Sequence, residues 1–137
     1  MSTLRFLGLA KRAGKVEAGD EGVTIAARAG KAKLILTAAD AGRSTCVRAD
    51  NSAQYAKCPV ASLPYTKDEL GAALGRDTVG VAAVTDIGFA HALIEKLHAE
   101  KGGFDELLAA LAVQNDRAEA RRKEQRRHEQ KKRRGIK

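Results

Sequence analysis

Over the first hundred residues, short apolar runs alternate with stretches that repeat their apolar positions every three or four residues. The runs are Val16–Ala18, Leu34–Leu36, Val60–Leu63 and Val79–Val84. Leu34-Ile35-Leu36 and Val79–Val84 are continuous rather than alternating, as expected of strands buried on both faces. The intervening segments read as helices. Thr3 is placed to cap the first, which carries Phe6, Leu7, Leu9, Ala10 and Ala13, and Gly14 sits where a terminating residue needs φ > 0. Gly19-Asp20-Glu21 opens a second, with acids at its positive end. Residues 44–57 hold a weaker helical pattern, closed by Pro59. Thr66 with Glu69 forms a capping-box pattern ahead of a helix ending at Gly75. Thr85-Asp86 opens a helix with Ile87, Ala90, His91, Ile94 and Leu97 on one side. Strand and helix in strict alternation predict an α/β domain, a sheet with helices on both faces.

Lys101-Gly102-Gly103 interrupts this order and divides the chain into a globular domain, residues 1–100, and two appendages. Residues 101–116 read as a linker and short amphipathic helix, with Phe104, Leu107, Leu108 and Leu111 as a stripe that docks on the globule or on a partner. Residues 117–137 are a basic tail with no apolar stripe, expected to be a helix that frays in isolation.

Charge follows the same division. Met1–Asp116 contains 14 basic and 14 acidic side chains, while Arg117–Lys137 contains 11 basic and three acidic ones, so the tail holds the whole net charge of +8. A neutral globule with a cationic arm suits a polyanionic partner. Arg121, Arg122, Arg126, Arg127, Lys131, Lys132, Arg133 and Arg134 are its candidate phosphate contacts.

Several functional classes receive no support. Cys46 and Cys58 are too few and too far apart for a disulfide framework or a zinc site. No phosphate-loop, dinucleotide or nucleophile-elbow pattern occurs, and Lys11–Lys15 lacks the glycine spacing of a phosphate loop. His91 reads as a packed residue and His98 as a surface one, so no catalytic or metal residue and no cofactor or small-molecule substrate is predicted. The N-terminus is too short and basic for a signal peptide. No apolar run nears the ~20 residues of a membrane span, so no membrane partner and a cytoplasmic location are expected.

A geometric constellation is more informative. If strands 16–18 and 34–36 are parallel neighbours, Gly19-Asp20-Glu21 and Ala38–Arg43 emerge at one sheet edge. Helix N-termini there present unpaired N–H groups to phosphate, with Lys15 and Arg43 beside them.

The stretch GLAKRAGKVEAGDEGVTIAARAGKAKLILTAADA, followed by KDELGAALG and VAAVTDIGFAHALIEKL, resembles the kink-turn RNA-binding ribosomal-protein superfamily, and within it the bacterial YlxQ-like branch. The likeness spans about Leu4 to Leu97. It implies a three-layer α-β-α sandwich around a four-stranded mixed sheet, followed here by a C-terminal basic helical arm. It also implies an RNA site at the edge described above: Gly19, Asp20 and Glu21; Asp40 to Arg43; and Arg76 to Gly80, with Arg76, Thr78 and Val79 as contacts. RNA, ribosomal or otherwise structured, is the implied partner, and the ribosome a possible one. Glu21, Gly22 and Ile25 stand where archaeal kink-turn binders of the superfamily carry Asn, Glu and, three residues on, Lys. The resemblance thus implies RNA binding without specifying the RNA. The competing reading is a protein-interaction adaptor of the transcription and translation machinery, docking through the Phe104–Leu111 stripe. An RNA-modifying enzyme finds no acid–base or metal cluster to support it.

Overall fold

The computed structural model describes residues 2–134. Its elements are α1 (Thr3–Arg12), β1 (Val16–Ala18), α2 (Asp20–Arg28), β2 (Leu34–Thr37), α3 (Arg43–Ala56), β3 (Val60–Ser62), α4 (Lys67–Leu74), β4 (Val81–Val84), α5 (Ile87–Lys101) and α6 (Asp105–Arg133). The sheet order is β1-β4-β2-β3. β4 is antiparallel to both β1 and β2, while β3 is parallel to β2. The sheet is therefore mixed and four-stranded, as the resemblance implies. β1 and β2 are not the direct neighbours expected from the order of elements. β4 lies between them, and their common direction comes from each being antiparallel to it.

Alternation along the two central strands builds two cores. Leu34, Leu36, Ala82 and Val84 face Leu7, Ala10, Leu70, Leu93, Ile94 and Leu97, under α1, α4 and α5. Ile35, Val81 and Ala83 face Val23, Ala26, Ala27, Ala49 and Ala53, under α2 and α3. The second core is lined largely by alanine, so α2 and α3 lie close to the sheet and to each other. With both faces of β2 and β4 covered, their continuous apolar runs are explained.

The capping signals hold with one exception. Thr66 and Glu69 form the expected reciprocal box, and the Asp86 carboxylate accepts from the Phe89 N–H at 2.9 Å. At α1 the cap is Ser2, whose Oγ accepts from the Arg5 N–H; Thr3 lies inside the helix and is buried. The Thr3 N–H donates to Glu100 at 3.0 Å, joining the start of α1 to the end of α5. Partial desolvation pushes the Glu100 carboxyl up. Hydrogen bonds from Thr3 and Tyr65 and the charge of Lys101 outweigh it and hold the group below its ordinary value. Val79–Val84 pairs as a strand only from Val81 onward.

Both histidines are partly buried, and His98, expected at the surface, is the engaged one. Its Nδ1 accepts the Phe104 N–H at 3.1 Å and its Nε2 lies 3.2 Å from Asp105. His98 thereby fastens the turn from α5 into α6, where Gly102 and Gly103 take positive φ.

The apolar stripe docks on the chain's own core. Leu111 is fully buried in the first core, and Phe104, Leu107, Leu108 and Ala118 are partly buried against that core. α6 continues without a break through 116 and 117 as a 29-residue helix, about 44 Å long. Every described residue from 119 onward is exposed; Gly135, Ile136 and Lys137 of the predicted tail lie outside the described residues. Among the described residues no helix is long and apolar enough to cross a membrane.

Because the docking rests on one fully enclosed side chain, Leu111→Ala is expected to cost about 2–5 kcal/mol in urea unfolding. Val113→Ala, at a position half exposed on the same helix, should stay within about 0.5 kcal/mol. Equal effects would mean that α6 is not seated on the core.

Candidate nucleic-acid interface

The sheet order brings three chain segments to one end. β1, β2 and β3 finish where β4 starts. Backbone bonds tie the segments beyond them to the start of β4: the Gly19 N–H donates to Val81 O at 2.8 Å and the Ala38 N–H to Gly80 O at 2.9 Å. The Asp40 carboxylate accepts the Lys67 N–H at 2.8 Å, and Lys67 O accepts the Val79 N–H at 3.0 Å. Gly71 permits the return of the chain into β4. A Cβ there would lie 2.5 Å from Asp77 O, while its own carbonyl accepts the Arg76 N–H.

Both helices that start at this end over the second core begin on glycine. Gly19 precedes α2 and Gly42 precedes α3, and neither helix receives a side-chain cap. α1, α4 and α5 all have one. The first-turn N–H groups of α2 and α3 are thus left facing solvent, with the positive ends of two helix dipoles side by side. Such a surface accepts phosphate oxygens or the acceptor edge of a base.

Cations surround it. Arg43 and Arg76 are exposed, and Arg76 Nη1 lies 3.0 Å from where a Cβ on Gly19 would be. Arg48 reaches over from α3 to Asp20, Nε to Oδ1 at 3.2 Å and Nη2 to Oδ2 at 3.3 Å. Both partners are half exposed, so the pair adds at most about 1 kcal/mol of stability. Its effect is to hold a guanidinium in a fixed plane beside the start of α2. The aliphatic stem of Lys67 packs near Gly80, next to Thr45.

The structure thus brings together Gly19, Asp20, Glu21, Asp40, Arg43, Arg76, Thr78 and Val79, in different capacities. Asp20 and Asp40 already hold Arg48 and the Lys67 backbone, and so position their neighbours. Glu21, Arg43, Arg76 and Thr78 are exposed and open to a ligand. Val79 is buried and its N–H is engaged, which leaves its side chain out of reach. Lys15 is not at this end. It precedes β1, where its carbonyl accepts the Thr85 N–H, so the whole strand, about 10 Å, separates it from Gly19. The tail arginines and lysines are not there either.

Sequence reasoning missed Arg48 and Lys67. The spacing of Thr45 and Arg48, three apart on one helix face, was the available signal for the first. Lys67 reads only as part of a capping motif. On α2, Ile25 is well exposed at 61%, and the Cβ direction of Gly22 points at Glu17, 3.4 Å from its Cβ. Elsewhere, burial pushes the Cys58 thiol up, partly offset by Lys33. Among the described residues no group of three or more His, Cys, Asp or Glu side chains is placed to hold a metal ion.

Residues 1–94 match the ribosomal protein L7Ae/L30e/S12e/Gadd45 family. The RNA-binding protein YlxQ of Bacillus subtilis (strain 168) is 39% identical over 101 residues, covering 71% of this chain and 96% of that protein. A solved structure of a Bacillus halodurans C protein of unknown function superposes with a TM-score of 0.63 at 30% identity, over 69% of this chain and 95% of that one. The Giardia lamblia 15.5kD RNA binding protein shares the fold, with a TM-score of 0.56 at 20% identity, over 70% and 84% of the two chains. The chain belongs to the ribosomal protein L7Ae/L30e/S12e/Gadd45 family, in its YlxQ-like branch.

Gly19 is the backbone hinge of the surface, at φ 89° and ψ 163°, a conformation essentially closed to other residues. Gly19→Ala is expected to lower stability by about 1–3 kcal/mol in urea unfolding, since Arg76 can swing aside but the backbone cannot relax. An unchanged midpoint would show that this turn carries no strain-sensitive role.

Proposed function

We propose, from this family membership, that the protein is a non-catalytic RNA-binding protein acting in the cytoplasm on ribosomal or other ribonucleoprotein RNA. The surface of Gly19–Glu21, Asp40–Arg43 and Arg76–Gly80 recognises a bent or internally looped element of the kink-turn kind. The observation that carries this reading is the pair of glycine-capped helix N-termini beside Arg43, Arg48 and Arg76. The RNA-binding character named for the Bacillus subtilis relative supports RNA as the partner. Phosphates meet free N–H groups and cations, and the exposed Glu21 accepts from a guanine edge. A regular duplex offers a protein little of its base edges, whereas a bend or loop opens them. The mixture of acids and bases at this surface favours a shaped partner over a merely charged one. The adaptor reading loses its surface, because the Phe104–Leu111 stripe is already seated on the chain's own core.

The test fills the N-terminus of α3 without harming the fold. Gly42 has an ordinary φ of −65° and open space around it, so Gly42→Asp introduces a cap and a negative charge at no steric cost. Stability should hold or rise, while affinity for an internally looped RNA falls. Arg48→Ala should also weaken binding, by roughly ten-fold or more, as expected when one charge-assisted hydrogen bond to RNA is removed. Ile25→Lys supplies the cation that archaeal kink-turn binders carry and should strengthen binding to a standard kink-turn about ten-fold. The companion change Gly22→Glu is unsuitable, since it sets a carboxylate against Glu17. Unaltered affinity in both folded Gly42→Asp and Arg48→Ala proteins would refute the assignment of this surface.

A further inference from the structure

The basic tail and the surface just described lie at opposite ends of the molecule. α6 doubles back along α5, and Asn115 Oδ1 comes within 3.7 Å of the Cβ position of Gly88, near the start of α5. α5 starts where β4 ends, which is the end of the sheet away from Gly19, Arg43 and Arg76. After Ala118, α6 therefore leaves the domain at that far end. It continues for a further 15 helical residues, about 22 Å, with every described side chain exposed.

The same end of the globule is cationic. Lys11 and Arg12 close α1, Lys15 precedes β1, and Lys31 and Lys33 precede β2; the Lys33 N–H donates to Val84 O beside the start of α5. Along α6, Arg121, Arg122, Lys123, Arg126, Arg127, Lys131, Lys132 and Arg133 point to all sides at 100° per residue, with Glu119, Glu124 and Glu129 among them. A helix charged all round has no face to pack on a protein core. Cations on every side let it meet phosphates without a preferred face.

We propose that this end is a second RNA site, which grips the phosphodiester backbone of a duplex without reading sequence. The protein then holds two RNA segments at once, one at each end of its sheet. The second site stands on the course and charge of α6 and on the cations at the end of the globule where it leaves; the bridging rests also on the reading of the first surface.

The test uses the full chain and two RNAs, a hairpin with an internal loop and a fully paired duplex of about 20 base pairs, labelled as a fluorescence energy-transfer pair. The expected result is a ternary complex with energy transfer. Changing Arg121, Arg122, Arg126 and Arg127 together to Gln keeps the helix-forming character, which circular dichroism checks. It should lower duplex affinity at least ten-fold and abolish transfer while sparing the looped RNA. Its plot of log K against log salt should flatten by roughly 0.9 for each phosphate that is no longer neutralised. Arg48→Ala should do the reverse, sparing the duplex. Mutual displacement of the two RNAs on the unaltered protein would overturn the bridging. A tail variant that binds duplex normally would overturn the second site. Polyglutamate displacing the duplex at equal charge would also overturn it, in favour of an acidic protein partner. An unaltered protein that binds the duplex but not the looped RNA would overturn the first surface and the bridging, and uphold the second site.

Discussion

The arrangement depends on the position of β4 between β1 and β2. A central strand antiparallel to both neighbours gives them a common direction although they never touch. The start of β4 then takes one hydrogen bond from each neighbour's exit, Gly19 to Val81 and Ala38 to Gly80. Two helix N-termini that are far apart in sequence are thereby fixed to one strand. Because that strand is buried on both faces, the spacing of α2 and α3 is as rigid as the core itself. A binding surface built on free backbone N–H groups needs this rigidity, since a hydrogen bond weakens steeply with small changes in distance and angle.

Much of this was legible in the residues. Continuous apolar runs at Leu34–Leu36 and in β4 signal strands covered on both faces. Thr66 with Glu69, and Asp86, signal helix starts by local chemistry. Local rules fail where the answer is topological. The alternating order of elements is compatible with β1 beside β2, and only the pairing with β4 shows otherwise. The shared edge survives that error because it needs a common strand direction rather than adjacency. Lys15 was misplaced for a related reason: it is near Gly19 in sequence, but an extended strand carries it to the other end of the sheet.

Side chains that act over long sequence distances were equally hidden. Arg48 reaches Asp20 across 28 positions, and His98 accepts the backbone N–H of Phe104, six residues on and beyond the turn. Composition alone gives neither partner. The tail shows the opposite case. Its charge was plain from the residue count, but its direction was not, because direction is set by Leu111 and by the turn at Gly102-Gly103. That turn sends the cationic tail to the end of the sheet away from Gly19, Arg43 and Arg76.

The central claim is that RNA meets the chain at the paired N-termini of α2 and α3. Titrating an internally looped RNA into ¹⁵N-labelled protein and following amide resonances tests it directly. The largest shifts are expected at Gly19–Gly22, Arg43–Thr45 and Arg76–Gly80, where free or neighbouring N–H groups face the ligand. Shifts confined to residues 117–134 and the Lys31–Lys33 end, with those amides unmoved, would contradict it.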